Sequence, residues 1–297
     1  MRRRIVFLGL VVMGMWLTKS IASGGEFKPD KNTTFLVHFN EKFEADYATG
    51  ERGGTGTAAL TQNNGGYWGE ALIAKKGLCV NTDGLEMMYR WLEYKAQNNY
   101  DSKKGTIELW AKLLKNPSEI VSEKETEKFS QMVLVAISKG DQHGQHSNWA
   151  MLMIDYNFHE IPQWKVTMLE SKKEQDVFVD GQAWSELYRN RFHLDYDIAD
   201  WNKEVWHHIA LTWDAEQNTR ALFIDGKKVA TGRSKYEDRF QELVPEAKRL
   251  FVGGYFSDNS MNLPCVIDEV RISNIVRYTE DFVPPSQKVD GAEGKEQ

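Results

Sequence analysis

The chain has 297 residues and a formal net charge of −6, with 41% hydrophobic and 12% aromatic residues. This length accommodates one large β-domain or two small ones, and the apolar content is sufficient for a sizeable core. An excess of acidic groups repels phosphate backbones, so the composition excludes nucleic acid as an expected partner.

The N-terminus has the features of a secretory signal peptide. Three arginines follow Met1, the stretch from Ile5 to Leu17 is apolar, and Ser20-Ile-Ala22 places small residues two apart. This order of basic, apolar and small residues is typical of a cleaved signal, and the apolar run is shorter than the about 20 residues of a membrane span. We therefore predict a signal peptide over residues 1–22, export to the periplasm or the extracellular space, and no stable membrane span after cleavage. An uncleaved anchor is the alternative.

Short strand-like segments begin soon after this region. Strands are predicted where β-branched and aromatic residues cluster or alternate with polar ones. In the segment from Thr106 to Lys112, Ile107, Leu109 and Ala111 fall on one face. Glycine-rich stretches at 53–56 and 63–66 are predicted to be loops. The predicted strands of the first two thirds are 35–39, 77–81, 106–112, 131–138, 149–156 and 164–169.

The C-terminal third has the clearest strand pattern. Residues 206–213 alternate strictly, and both Trp206 and Trp213 are predicted to lie in the core. Asp225-Gly226 is a strong hairpin signal, because this two-residue turn requires positive φ. By contrast, residues 171–200 show no regular pattern.

Many short strands, no helical stripe and no βαβ rhythm predict an all-β sandwich or jelly roll with antiparallel sheets. Pro284-Pro285 ends the pattern. The predicted organisation is a signal peptide over 1–22, a linker over 23–34, one domain over 35–285 and a disordered tail over 286–297.

Five strings, in order, resemble the laminin-G-like domain of the concanavalin-A-like lectin/glucanase jelly rolls. They are TIELWAK from Thr106, WHHIALTWD from Trp206, FIDGK from Phe223, FVGG from Phe251 and IDEVRIS from Ile267. The resemblance covers roughly residues 35–285. It implies a two-sheet antiparallel jelly-roll β-sandwich with loop insertions at 114–130, 171–200 and 233–247. It also implies extracellular recognition, often of carbohydrate, with enzymes as a minority.

Asp268 is the unusual carboxylate of the last motif. Strict alternation places it on the face of Val266, Val270 and Ile272, and a carboxylate among apolar neighbours must be paired, hydrogen-bonded or bound to a metal. Relatives of this fold often carry a structural calcium near the terminal strands, and Asp268 is the matching position. Calcium is one expectation. Bonding to backbone N–H groups or a nearby cation is the other.

Cys79 and Cys265 are the two cysteines of the chain. In an exported protein such a pair forms a disulfide if the two strands share a sheet face. Two separate buried thiols are the equal alternative, because a sequence supplies no distance.

The binding prediction rests on aromatic residues beside a carboxylate. Sugars stack on exposed Trp and Tyr rings, and Asp155, Tyr156 and Trp184 lie in or beside the irregular middle of the chain. Burial of these rings in the core is the alternative. These three are the predicted ligand-binding residues.

No catalytic site is predicted. Jelly-roll glucanases carry Glu-x-Asp-x-x-Glu on one strand, and this string is absent from the sequence. Alternation also places Asp268 and Glu269 on opposite faces, so they are not expected to form a catalytic pair. The sequence therefore predicts an exported, non-catalytic module that binds carbohydrate or a glycosylated surface. A protein-binding adhesive module and a divergent glycoside hydrolase are the alternatives.

Overall fold

Apart from one 3₁₀ turn at Pro117–Glu119, every regular element of the described residues is a β-strand. The computed structural model describes residues 26–39, 43–56, 72–74, 92–119, 131–140, 148–156, 163–171, 192–203, 205–234, 241–254 and 265–285. The strands are β1 (Thr33–Val37), β2 (Tyr47–Ala48), β3 (Gly54–Gly56), β4 (Leu72–Ala74), β5 (Leu92–Lys95), β6 (Lys104–Leu113), β7 (Gln131–Ser138), β8 (Trp149–Tyr156), β9 (Trp164–Ser171), β10 (Phe192–Asp197), β11 (Trp206–Asp214), β12 (Thr219–Ile224), β13 (Lys227–Gly232), β14 (Arg249–Val252) and β15 (Cys265–Ser273).

The strands form two antiparallel sheets. The first has the order β13-β12-β11-β6-β15-β1-β2, with β4 also pairing with β15. The second has the order β10-β9-β8-β7-β14-β5-β3. Both sheets combine hairpin neighbours, such as β8-β9, with neighbours distant in sequence, such as β6-β15, as in a jelly roll. The predicted all-β, two-sheet sandwich is confirmed.

One core fills the space between the sheets, and strand alternation decides which residues enter it. On β6, Ile107, Leu109 and Ala111 lie in the core, whereas Glu108 and Trp110 lie on the opposite face. Strands β8, β9 and β11 follow the same rule, because side chains of a pleated strand point alternately to its two faces.

The predicted hairpin between β12 and β13 is confirmed. Asp225 and Gly226 have φ values of 50° and 77°, and Ile224 pairs with Lys227 on either side of them. The φ of both turn residues lies in the region that a type I′ turn requires.

Several sequence predictions need correction. The first strand is Thr33–Val37, not 35–39, and residues 54–56 form a strand that pairs with β5 although they were predicted to be a loop. Phe192–Asp197 is a strand within the stretch predicted to be irregular. Trp213 lies in the core as predicted, but Trp206 lies on the opposite face beside Trp110.

A buried ion pair lies inside the sandwich. Arg220 on β12 and Glu170 on β9 point to the core side of different sheets, and Nε of Arg220 lies 3.4 Å from Oε2 of Glu170. Both side chains are fully buried. Arg220 also donates to the carbonyl of Gln241 at 2.6 Å. The pair joins the two sheets through the core, where an uncompensated charge is strongly unfavourable.

Candidate functional site

The outer face of the second sheet, the side that points away from the core, carries a cluster of polar side chains. On β9, Lys165 and Thr167 alternate with core residues, and on β10 His193 and Asp195 do the same. In register, Asp155 of β8 lies opposite Lys165, and Thr167 lies opposite Asp195. We call Asp155, Lys165, Thr167, His193 and Asp195 the Asp195 cluster.

Asp195 is the centre of this cluster. Its Oδ2 accepts hydrogen bonds from Nζ of Lys165 at 2.8 Å and from Nδ1 of His193 at 2.9 Å. Its Oδ1 accepts from the hydroxyl of Thr167 at 2.5 Å. The Lys165 side chain is 7% exposed, whereas those of Asp195 and His193 are 30% and 27% exposed. A carboxylate held by three donors therefore reaches solvent at the edge strand of the sheet.

These donors determine the charge of Asp195. Partial burial alone would raise the pKa of Asp195, but the hydrogen bonds from His193, Lys165 and Thr167 outweigh it and lower this pKa to about 2. Asp195 is consequently ionised at neutral pH and acts only as an acceptor, so the Nδ1 of His193 is the donor in their hydrogen bond.

The three predicted ligand-binding residues have different outcomes. Asp155 lies on the outer face next to Lys165 and is 2% exposed. Tyr156 ends β8 and pairs in register with Trp164, but its side chain is outside the described part of the structure. Trp184 lies outside the described residues. The structure therefore brings Asp155 to a polar cluster, and the roles of the other two stay predictions.

An apolar cluster occupies the middle of the same face. Its members are buried, and Trp149 is only 8% exposed. A ring with so little free surface is not a platform on which a sugar can stack. The members are Val133, Ala136, Trp149, Met151, Met153, Leu169 and Phe251.

A charged cavity lies near the opposite edge of this face. Its volume is about 680 Å³, and it is open to solvent. Arg249 of β14 donates from Nε to Oε1 of Glu93 on β5 at 2.6 Å. Five strand spacings of about 4.8 Å, or about 24 Å, separate β10 from β5. The lining residues are Glu93, Lys95, Gln97, Glu246, Ala247, Lys248 and Arg249.

The outer face of the first sheet is organised around a fully buried carboxylate. Oε1 of Glu108 accepts from Nε of Arg271 at 2.9 Å, and Oε2 accepts from the hydroxyl of Tyr278 at 2.7 Å. Nε2 of His208 lies 3.1 Å from the same Oε2. Burial would raise the pKa of Glu108, but its partners, first His208 and then Arg271, lower it. Glu108 is thus an internal anion neutralised by neighbouring strands.

Both terminal segments of the described domain cover this face. Phe27 is 2% exposed, and Arg277 forms ion pairs with Asp30 at 2.8 and 2.9 Å, so the two segments are joined to each other. The ring of Phe282 stacks on Tyr278 at 3.5 Å, and its backbone N–H donates to the carbonyl of Gly226. These contacts bury the centre of the outer face of the first sheet around Glu108.

A β-bulge changes the expected position of Asp268. The register between β15 and β6 shifts after Asp268, and Glu269 has φ 52°. Val270 and Ile272 therefore lie in the core, whereas Asp268 lies opposite Trp110 on the outer face. The predicted placement with Val270 and Ile272 is wrong, because a bulge reverses the alternation.

The bulge also corrects the prediction that Asp268 and Glu269 point to opposite faces. The Glu269 carboxylate accepts the N–H of Phe27, which packs on the outer face, at 2.5 Å. Asp268 accepts the N–H of Glu269 at 3.0 Å. Within the described ranges, no three His, Cys, Asp or Glu side chains converge on one point. The described side chains therefore do not by themselves supply a calcium ligand set.

Cys265 begins β15 and is fully buried against the core. Cys79 lies outside the described residues, so the disulfide stays a prediction.

The sequence contained an unused signal for the Asp195 cluster. Residues 164–168 alternate apolar and polar, and so do residues 192–195. Alternation shows that Lys165, Thr167, His193 and Asp195 face away from a core. The sequence does not show that these side chains meet at Asp195, because the contact depends on the register between β9 and β10. Thr167 and Lys165 lie 28 and 30 residues before Asp195 in the chain.

Comparison with known families identifies the class of protein. A laminin G-type family model, described as the concanavalin A-like lectin/glucanases superfamily, matches residues 89–281, which is more than half of the chain. The chain belongs to this superfamily. A search of curated proteins found no match.

This chain is similar to several solved structures at low sequence identity. The binding domain of botulinum neurotoxin serotype D is 10% identical, with a TM-score of 0.51 over 82% of this chain and 48% of that one. The CBM40 domain of the Ruminococcus gnavus IT-sialidase, bound to α2,3-sialyllactose, is 18% identical, with a TM-score of 0.39 over 59% of this chain and 78% of that one. A leech intramolecular trans-sialidase is 14% identical, with a TM-score of 0.43 over 65% and 26%. The likeness to the neurotoxin domain, at 10% identity, concerns the fold alone.

In the part of the chain that the structure describes, no helix has the length and apolar character needed to cross a membrane.

Proposed function

We propose that this chain is an exported, non-catalytic recognition module that binds carbohydrate through the outer face of the second sheet, at the Asp195 cluster. The observation that carries the proposal is a partly exposed, ionised carboxylate held by three donors on a lectin-like sandwich. Sugar hydroxyls are donors as well as acceptors, and a fixed carboxylate accepts them at little entropic cost.

The members of the cluster have distinct roles in the proposal. Asp195 accepts a sugar hydroxyl, and His193 lies at the solvent edge beside it. Lys165 and Thr167 are buried and act by holding the Asp195 carboxylate in position. Asp155 lies in register with Lys165 on the next strand.

A glycan array with the mature chain tests the binding. Asp195→Asn keeps the shape of the side chain but removes its charge and turns one oxygen into a donor that faces other donors. We expect it to weaken glycan binding at least about tenfold, since a hydrogen bond to a charged group contributes on the order of 1.5–3 kcal/mol.

Glu280→Gln is the matched control. This carboxylate is 82% exposed and pairs with Lys228 on the other sheet, so its replacement is expected to leave binding unchanged. Equal binding by Asp195→Asn and the wild type would exclude the Asp195 cluster as the site. If no glycan binds and a pull-down returns one protein partner, the protein-binding alternative holds instead. Release of reducing sugar from a polysaccharide panel would establish the glycoside hydrolase.

Export is part of the proposal and depends on residues 1–22. We expect the N-terminus of the secreted protein to begin after Ala22, which Edman sequencing or intact-mass measurement of the exported fraction determines. A product that retains residues 1–22 would identify an uncleaved anchor.

The structural calcium and the disulfide also stay proposals. A melting temperature that chelator lowers and excess calcium restores would support calcium at Asp268, and Asp268→Asn should remove that response. For Cys79 and Cys265, thiol labelling of the unfolded, unreduced protein distinguishes a disulfide from two thiols.

A further inference from the structure

We infer that the Asp195 cluster selects neutral, hydroxyl-rich sugars and disfavours glycans that carry carboxylate or sulfate groups. The inference rests on the proposed function and names the class of ligand that the site accepts. It follows from the charges and the hydrogen-bond roles that β8, β9 and β10 place on one face.

Among the described residues of β8, β9 and β10, carboxylates outnumber cations on this face. Lys165 lies in register between Asp155 of β8 and Asp197 of β10, and Asp195 lies one position further along β10 on the same face. Lys165 is the sole Lys or Arg of these three strands, and its ammonium is bonded to Asp195. Three carboxylates face one ammonium and one imidazole, so the local potential is negative and repels anions.

The donors of the cluster are also directed inward. Lys165, Thr167 and His193 all donate to Asp195, and the Lys165 side chain is only 7% exposed. A ligand carboxylate or sulfate is an acceptor only and needs donors that are free to turn toward it. Drawing Lys165 away would leave Asp195 without its closest cation.

Asp195 itself selects a donor. A carboxylate accommodates about four hydrogen bonds, and three are made within the cluster: two at Oδ2 and one at Oδ1. The remaining position on Oδ1 matches one hydroxyl of a sugar. An acidic sugar can offer the same hydroxyl, but it brings its anion close to Asp195 and Asp197, the carboxylates of β10 that solvent reaches. Neutral and acidic sugars therefore make the same hydroxyl contact with Asp195, and the charge of the ligand decides which of them binds more tightly.

Paired ligands test the inference. A neutral oligosaccharide that binds the full mature chain is compared with the same oligosaccharide carrying a terminal uronic or sialic acid, by calorimetry at 20 and 500 mM NaCl. We expect the neutral form to bind on the order of tenfold more tightly at low salt. The ratio should fall toward one at high salt, because exposed charges are then screened.

Two variants sharpen the test. Asp197 is exposed, and Asp197→Asn removes one negative charge, so it should tighten binding of the acidic form more than that of the neutral form. Asp195→Asn should weaken both forms, and Glu280→Gln should change neither. If the acidic form binds as tightly as the neutral form or more tightly, and Asp195→Asn abolishes that binding, charge selection is wrong while carbohydrate recognition stands. If no oligosaccharide of either kind binds, the proposed function itself fails.

Discussion

The outer faces of the two sheets use charged residues in opposite ways. On the first sheet, Glu108 is fully buried, its charge is met by Arg271, and terminal segments cover it. On the second sheet, Asp195 has a comparable set of donors but stays partly exposed at an edge strand. A charged network is therefore not a sign of function by itself, and solvent access at the centre of the network is what separates a structural site from a candidate binding site.

The largest expected effect is on the covered face. Glu108→Ala removes the anion that Arg271 neutralises and that Tyr278 donates to, and it leaves a buried guanidinium without its closest counter-ion. We expect the free energy of unfolding to fall by about 3–5 kcal/mol, measured by urea denaturation. If Glu108→Ala does not fold, Glu108→Gln should fold with a smaller loss of unfolding free energy, because its amide oxygen is still a hydrogen-bond acceptor. A loss below about 1 kcal/mol would show that this network does not stabilise the fold.

A moderate effect is expected where the C-terminal segment closes the same face. The half-buried ring of Phe282 stacks on Tyr278 and contacts Phe223 and His208. Phe282→Ala should lower the free energy of unfolding by about 1–2 kcal/mol from the lost apolar burial. It should also make residues 274–285 more susceptible to limited proteolysis, while glycan binding at the second sheet stays intact. Loss of that binding in a folded variant would contradict the separation of the two faces.

The pH dependence of stability is expected to report on Asp195. Its pKa is lowered from 3.8 to about 2, so its ionised form stabilises the native state above the unfolded pKa. That stability is lost as pH falls through the folded pKa. The difference in unfolding free energy between wild type and Asp195→Asn should be about 1–2 kcal/mol above pH 5 and should shrink between about pH 4 and 2. A pH-independent difference would mean that the carboxylate charge does not contribute.

The smallest effect is expected at an exposed pair. Lys95 and Glu51 form an ion pair at 2.6 Å, but their side chains are 61% and 63% exposed. Lys95→Ala should change the free energy of unfolding by no more than about 0.5 kcal/mol. Thermal denaturation measures this change. A loss of unfolding free energy above about 0.5 kcal/mol would show that solvent exposure does not predict how much an ion pair of this protein stabilises the fold.

Local pattern was sufficient to predict much of the scaffold. The alternation in β6 and β11, the Asp225-Gly226 turn and the strand Gln131–Ser138 are all as predicted, because each depends on residues close in sequence. Predictions failed where a local rule has an exception. The bulge at Glu269 reversed the alternation in β15, and no residue of the IDEVRIS string predicted this bulge.

The sequence by itself determined the fold class, because the period-2 pattern and the turn residues act locally and leave few ways to bury the apolar faces. The alternation of residues 164–168 also determined that Lys165 faces away from the core, whereas the strand that holds Asp195 lay in a stretch predicted to be irregular. Only the tertiary structure decided that they meet, since antiparallel register brings together residues 30 positions apart. Likewise, only the tertiary structure decided that Glu108 is buried and Asp195 is partly exposed, because the exposure of each side chain depends on which distant segment packs over its face.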